Sequence, residues 1–393
     1  MRGADIEAAT INSNTSYQER QRLLSDLWTG HPVTRLLYVT PEQCNADGFR
    51  KHLRIVHEQR ELARIAVDEA HCISEWGHDF RPTFKELRWF RDSFPDVPII
   101  CLTATATPRV RQDVVSTLGL TENKLKIFTM TTFRENLHYE VRFKCDQEDH
   151  YSDFLGWLKK VHKRRAEDPD RRAELEDNNE RLDNVSGIIY TLFRQDCEDL
   201  SARLRADGIG AKPYHAGLRN DEKIETLRHW VNNEKGYDVI VATTAFGMGI
   251  DKENVRFVVH WQIPKSFEGF YQEAGRAGRD GKASVCIMYY SREDRDRAFN
   301  RISKDNKAHS NLEARVQTLQ ALIAYCENTD TCRHKIISEY FGEKEAPNCE
   351  YACDWHKDAK GLKKAKLNGL ESEEWVSTQR DKGRFDHGWE GYD

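Results

Sequence analysis

Several things are scarce in this chain, and each absence narrows the reading. No run of about 18 apolar residues occurs, so no membrane-spanning helix is expected. The opening MRGADIEAATINSN lacks the basic-then-apolar pattern of a secretory signal. A basic excess is missing too. Lys and Arg number 60 against 65 Asp and Glu, a net charge of −5, so any nucleic-acid contact must come from local patches. Cysteine does not form a disulfide framework. Six of the ten (Cys44, Cys72, Cys101, Cys145, Cys197 and Cys286) are scattered, which reads as reduced core thiols and favours an intracellular compartment. A phosphate-binding loop of the form G-x-x-x-x-G-K-[ST] is also absent from the 393 residues.

What is present is a repeated alternation. Short β-rich apolar runs recur as RLLYVTPE, ARIAVDEA, PIICLTATAT, SGIIYTLF, YDVIVATTAF, VRFVVHW and ASVCIMYY. Amphipathic helical patterns separate several of them. RQDCEDLSARLRADG places Cys197, Leu200 and Leu204 on one face and ends in Gly208, and DEKIETLRHWVNN does the same with Ile224, Leu227 and Trp230. Buried runs alternating with such helices imply βαβ units and parallel sheets, an α/β fold. Two series are visible, one to about residue 125 and one from about 130 to 290. Within the second, 159–184 is nearly all charged and reads as a solvated helical or disordered insertion. Its KKVHKRR is a nuclear-import or phosphate patch, or simply an exposed helix face. The tail beyond 358 has few apolar residues and is expected to be disordered.

Three constellations carry chemistry. In VDEAH, Asp68 and Glu69 follow a buried strand. An acid at a strand's carboxyl end holds Mg²⁺ through water in nucleoside triphosphatases, and a neighbouring Glu polarises the attacking water. The loop behind them gathers Trp76, His78, Phe80 and Arg81, groups that stack on bases or pair with phosphate, or that simply pack in a core. In QEAGRAGRDG, Arg276 and Arg279 stand three apart on a glycine-rich turn. They can neutralise charge that builds on a γ-phosphate, or form an ordinary basic turn. Between 331 and 358, Cys332 is followed by Cys349, Cys353 and His356. Three thiols and one imidazole suit a closed tetrahedral Zn²⁺ site of structural type, and Cys326 is left over as a packed thiol.

The stretch VDEAHCISEWGHDFRPTFKEL resembles the RecQ family of DNA helicases, and further motifs agree in the family's order. LLYVTPE resembles its DNA-contacting motif, and LTATAT the motif linking ATPase to strand contact. GIIYTLFRQDCEDLSARLRADGIGAKPYHAGL, VIVATTAFGMGIDKENVRFVVHW and FYQEAGRAGRDG resemble its second lobe. The resemblance covers roughly residues 8 to 358. It implies two RecA-like parallel-sheet lobes, the first incomplete, followed by a small helical zinc-binding module. The ranges implied are 1–128, 129–292 and 293–358, with 359–393 as the tail.

It also implies roles. Asp68, Glu69, His71, Asp251, Arg276 and Arg279 would be catalytic. Gly249, Asp251 and Gln272 would join the acids and arginines around ATP, with Mg²⁺ on Asp68. Thr40, Trp76, His78, Phe80, Arg81, Thr103 and Thr105 would meet single-stranded or forked DNA. The family zinc module begins CRR and passes through YFGE; this chain has CRH and YFGE, and His356 stands where the family has its last cysteine. The implied activity is ATP-dependent 3′-to-5′ DNA unwinding in repair or recombination, nuclear in a eukaryote and cytoplasmic otherwise. Residues 1–13 resemble family sequence just after its motif Ia, so the phosphate loop and its internal strand are expected to be missing. That leaves open a non-hydrolysing DNA- or partner-binding remnant, or an RNA helicase. No periodic apolar pattern after residue 358 suggests a winged-helix domain.

Overall fold

The computed structural model describes residues 5–76, 80–121, 124–144, 149–177, 181–183, 185–247, 250–304, 311–345, 347, 349–350 and 352–371. The chain divides into two compact units, Met1–Met130 and Thr131–Asp393.

Among the described residues, unit 1 holds four short strands, β1 (Ala8–Ile11), β2 (Leu36–Val39), β3 (Ile65–Val67) and β4 (Ile99–Cys101). β1 pairs with β2 and β3 with β4, both in parallel. Helices start where the sequence supplies a cap and a proline. Thr40 caps the helix Pro41–Asn45 and Thr107 caps Pro108–Thr117, each hydroxyl accepting a backbone N–H of the first turn. The core gathers Phe49, Leu53 and Val56 from the helix Asp47–Glu58, then Phe84, Phe90 and Phe94, and Ile65 and Val67 from β3. In unit 1 the described strands form two separate two-stranded sheets. One face of each stays open. Ala66 and Ile100, partners in register, are both exposed, as are the register partners Thr10 and Tyr38. Parallel sheets are ordinarily covered on both faces.

Unit 2 satisfies that rule. Its strands are β5 (Leu137–Phe143), β6 (Gly187–Tyr190), β7 (Ala211–Tyr214), β8 (Val239–Ala242), β9 (Phe257–His260) and β10 (Ser284–Tyr290). They form one parallel sheet in the order β5-β10-β9-β6-β8-β7. The central strands β6, β8 and β9 are buried throughout. Alternate residues serve two cores: Ile188, Ile240 and Val258 face one, while Ile189, Val241 and Val259 face the other. β6 begins with glycine because a Cβ on Gly187 would lie 2.1 Å from the Phe257 ring.

Two sequence expectations need correction here. The charged stretch 159–184 is helical through Asp177, within the helices His150–Glu167 and Pro169–Asp177, but it is not a freely solvated insertion. Leu158 and Leu175 are buried, Glu174 pairs with Lys282 at 2.8 Å, and Arg181 with Asp238 at 2.9 Å. The first helix docks through Tyr151, Phe154 and Leu158, which precede the charged stretch; within it Leu175 is the one buried apolar side chain among the described residues, too little to register as amphipathic. The disorder expected from residue 359 does not hold through residue 371. The helix Asp354–Glu371 continues through that stretch, burying Leu362 and Leu370, and Gly369 lies so close to Phe143 that a Cβ would meet its side chain at 2.7 Å. Residues 372–393 lie outside the described residues.

The open sheet faces make unit 1 the weaker unit. Calorimetry should resolve two transitions, the lower belonging to unit 1. Phe94→Ala, which removes a fully buried ring, should lower only that transition, by the ~3–5 kcal/mol typical of such cavities. A single cooperative transition shifted as a whole would contradict this.

Candidate functional site

The acids sit at the carboxyl end of β3. The chain turns sharply there, with Glu69 left-handed at φ 50° and ψ 43°, a conformation that costs a non-glycine residue roughly 1–3 kcal/mol. The turn is pinned by Ala70 N–H donating to the Leu102 carbonyl at 2.9 Å, so the ends of β3 and β4 are tied together. Asp68 is exposed and Glu69 partly so, leaving two carboxylates side by side toward solvent. Behind them His71 is buried. Its Nδ1 lies 3.0 Å from Thr103 Oγ1 and 3.3 Å from Glu69 Oε2. Thr103 Oγ1 in turn accepts the Thr105 N–H at 3.2 Å. The buried Thr105 hydroxyl has no partner among the described residues. Acid, imidazole and two of the threonines of LTATAT, Thr103 and Thr105, therefore form one connected row.

The aromatic loop is already occupied by cations. Trp76 is half-buried, with the Arg109 guanidinium 3.1 Å from its ring centroid. Phe80 carries Lys85 at 5.0 Å, and Lys85 pairs with Glu75 at 2.6 Å. The loop is held by Ser74, whose hydroxyl donates to Asp113 at 2.5 Å and accepts the Trp76 N–H at 3.1 Å, and by Arg81 N–H on the Cys72 carbonyl at 2.9 Å. Arg109 and the Ser74–Asp113 link escaped the sequence reading because they join segments over 30 residues apart. His78 lies outside the described residues. Thr40 is spent on its helix cap, its Oγ1 3.3 Å from the Gln43 N. Neighbouring Glu42 is held below the usual carboxylate range by its own backbone N–H and the Thr40 and Thr83 hydroxyls, against the opposing pull of burial.

In unit 2 the helix Phe267–Ala274 ends at Gly275 and leads into the arginine turn. Here the structure separates what the sequence grouped. Arg276 is buried beside the Tyr190 hydroxyl, and its Nε has no partner among the described residues. Arg279 is the outward cation, its side chain 38% exposed, donating to the Ile250 carbonyl at 2.9 Å and lying 3.3 Å from Asp251 Oδ1. Asp251 is itself exposed, Gln272 is half-buried on the helix, and Gly249 lies outside the described residues. Gly278 takes φ 56°, and a Cβ there would meet Asn136 Nδ2 at 2.4 Å, so the turn requires glycine.

The four residues proposed for metal do converge. The ligand atoms of Cys332, Cys349, Cys353 and His356 lie within 4.8 Å of one another, with the three thiols buried. Cys353 Sγ is 3.9 Å from Cys332 Sγ and 3.3 Å from His356 Nδ1. A tetrahedron with Zn–S bonds of about 2.3 Å has edges near that length, so the donor set fits a structural zinc. Contact between the two sulfurs lowers the Cys353 thiol below its ordinary range and raises Cys332, while burial raises Cys349 to about 11.

Around the cluster runs a buried polar frame. Arg333 binds Asp354 through two bonds of 2.9 and 3.0 Å and also donates to the Tyr325 carbonyl. Asp354 Oδ2 accepts the Val141 N–H at 2.9 Å, and Ala352 accepts the Tyr139 N–H at 3.1 Å. The module thus covers the edge of β5. His334, its pKa lowered by burial, reaches the Leu137 and Ala352 carbonyls at 3.1 and 3.0 Å. Arg333 and His334 lie inside the quoted CRH, whose meaning appears only with β5 beside it.

Three family matches follow the chain in order: DEAD/DEAH box helicase over residues 2–114, Helicase conserved C-terminal domain over 171–281, and RecQ zinc-binding over 292–357. The chain belongs to the RecQ family. ATP-dependent DNA helicase Q5 of Mus musculus is 40% identical over 381 residues, covering 95% of this chain and 37% of that protein. RecQ-like DNA helicase BLM of Xenopus laevis is 39% identical, covering 89% of this chain and 24% of that protein. ATP-dependent helicase SGS1 of Saccharomyces cerevisiae is 38% identical, covering 89% and 22%. The chain therefore spans little more than a third of the length of the helicase Q5 relatives, and less of the BLM and SGS1 relatives. The DUF1998 helicase MrfA, in a crystal structure bound to DNA and AMPPNP, shares the fold with a TM-score of 0.51 at 18% identity, over 75% of this chain and 39% of that one.

With RecQ membership in place, the metal cluster gives a direct test. Cys353→Ser should abolish metal retention, read by atomic emission on the purified chain, and should lower the melting of unit 2. His356→Cys, which restores the fourth thiolate of other RecQ proteins, should retain the metal. Equal metal content in all three proteins would show that these side chains do not bind it.

Proposed function

We propose that this chain works in ATP-dependent, 3′-to-5′ separation of DNA strands, as a RecQ-type motor unit. The observation that carries the proposal is the row Glu69–His71–Thr103–Thr105. It joins an exposed pair of acids to the segment LTATAT through hydrogen-bonding contacts. An acid pair wired to a second strand end is what a nucleotide-driven switch needs, because a proton or charge change at Glu69 is felt at Thr103. Asp68 would hold Mg²⁺ through water, the ion neutralising phosphate charge, and Glu69 would orient the attacking water. Arg279, being the exposed cation, is the better candidate to meet a γ-phosphate; Arg276 would shape the turn from inside. Cys332, Cys349, Cys353 and His356 would hold a structural zinc.

Trp76 and Phe80 would present their faces to the bases of single-stranded or forked DNA, with Arg109 and Lys85 exchanging their rings for phosphate as the strand arrives. Repair or recombination partners, and a nuclear location in a eukaryote, follow from DNA as the substrate. Among the described residues no helix is long and apolar enough to cross a membrane. A second reading is favoured by one observation. The 393 residues hold no G-x-x-x-x-G-K-[ST] loop to cradle the β- and γ-phosphates, so by itself this chain would bind DNA without hydrolysing ATP.

Both readings are tested on the same protein. Fluorescence anisotropy should show saturable, salt-dependent binding of a single-stranded oligonucleotide. Trp76→Ala should weaken it by about 5- to 150-fold, the ~1–3 kcal/mol that one base–aromatic stack is worth. Absence of any binding at low salt would sink both. DNA-stimulated phosphate release carries the first reading and overturns the second; release that stays at background with DNA bound carries the second and overturns the first for this chain.

A further inference from the structure

The first six residues of unit 2 are gripped from two sides. Before them, residues 126–130 are all exposed, Phe128 at 90% and Met130 at 93%. The character of the chain changes at Thr131. Glu343, in the YFGEK segment that follows the helix Arg333–Tyr340, accepts the Thr131 hydroxyl at 3.1 Å on one carboxylate oxygen and the Thr132 N–H on the other. The Thr132 hydroxyl meets Ser338 Oγ at 3.1 Å. Phe133 packs among Cys332, Cys349 and Cys353 and sets its ring edge-on to His334 at 4.9 Å. These contacts all come from the metal module.

The opposite grip comes from the arginine turn and its helix. Tyr271 donates its hydroxyl to the Thr132 carbonyl at 3.2 Å. Arg134 donates to the carbonyls of Ala277 and Gly278 at 3.2 and 2.6 Å, and Asn136 Nδ2 to those of Gly278 and Lys282 at 2.8 and 2.9 Å. Those carbonyls flank Arg279, the outward cation. Residues 131–136 therefore bridge two elements distant in sequence, the metal module and the turn that aims Arg279. A carboxylate that accepts two donors on adjacent residues fixes a backbone far better than a neutral contact, since charge-assisted bonds are worth about 1.5–3 kcal/mol against about 1 for neutral ones.

We propose that Thr131–Asn136 is a strap that couples the metal module to the arginine turn and immobilises the point where the chain leaves unit 1, with Glu343 as its positioning residue. The strap works whether or not the arginine turn meets a nucleotide, so its test is independent of the helicase reading. Removing Glu343 frees Thr131 and Thr132, loosens Phe133 and, through Arg134 and Asn136, loosens the turn.

Chymotrypsin on the intact, metal-loaded 393-residue chain provides an internal comparison. Phe128 is exposed and reports basal cleavage; Phe133 is reached only when the strap lets go. Glu343→Ala should raise the initial rate of cleavage at Phe133 relative to Phe128 by about tenfold or more, as loss of two such bonds implies. Metal content should stay at the wild-type value, and amide hydrogen exchange across 275–280 should accelerate. Glu343→Gln, which keeps an acceptor oxygen, should fall between. If Glu343→Ala loses metal or fails to fold, Arg134→Gln loosens the strap from its other end without touching the module and should give the same two changes. A cleavage ratio unchanged in Glu343→Gln and Arg134→Gln would overturn the strap. A rise at Phe133 with no change in exchange at 275–280 would overturn its coupling to the arginine turn.

Discussion

The parallel β-ladder is the constraint from which the rest follows. Parallel pairing leaves two apolar faces to be covered and delivers polar groups only at strand ends, where the chain escapes the core. Unit 2 meets the demand fully: β6, β8 and β9 are buried along their whole length, and their alternate side chains feed two separate cores. Unit 1 meets it on one face, with Ala66 and Ile100 left open. Its chemistry still gathers at strand ends. Asp68 and Glu69 follow β3, Thr103 and Thr105 follow β4, and one backbone bond from Ala70 to Leu102 keeps the two ends in step.

A sheet edge needs an answer as much as a face does. β5 is an edge strand, and the metal module supplies the answer. Ala352 accepts from Tyr139, Asp354 accepts from Val141, and His334 bonds the Leu137 carbonyl. The buried Arg333–Asp354 pair carries this contact into the helices behind. Such a pair is a poor source of net stability but a strict one of geometry, because either partner alone would be an uncompensated buried charge. The candidate metal ligands Cys332 and Cys353 each adjoin one member of that pair. Ligand geometry and sheet edge are therefore fixed by the same two residues.

Cations in this chain divide by burial, and their uses divide with it. Arg276, Arg333 and Arg256 are buried and hold backbone or partner carboxylates or shape a turn; Arg279 and Lys85 reach solvent, each beside one carboxylate. Arg109 over Trp76 places a guanidinium on the aromatic loop, a local cation that the net charge of −5 does not reveal.

The linear pattern determined much by itself. Apolar runs bounded by acids or threonines marked β2, β3, β4, β6, β8, β9 and β10, because a strand buried on both faces must be continuously apolar. The spacing of three thiols and one imidazole marked the metal cluster, because few local folds can use that donor set otherwise. What escaped depended on partners far away in sequence. The helical stretch from 159 and the helix running to Glu371 looked solvated because each docks through only one or two leucines. Arg276 and Arg279 looked equivalent, and only the packing of β6 beside the turn buried one and exposed the other. Arg109 on Trp76, Asp354 on β5 and Glu343 on Thr131 unite segments between 33 and 213 residues apart. No local signal encodes such contacts, since each is favourable only once the sheet has brought its two halves together.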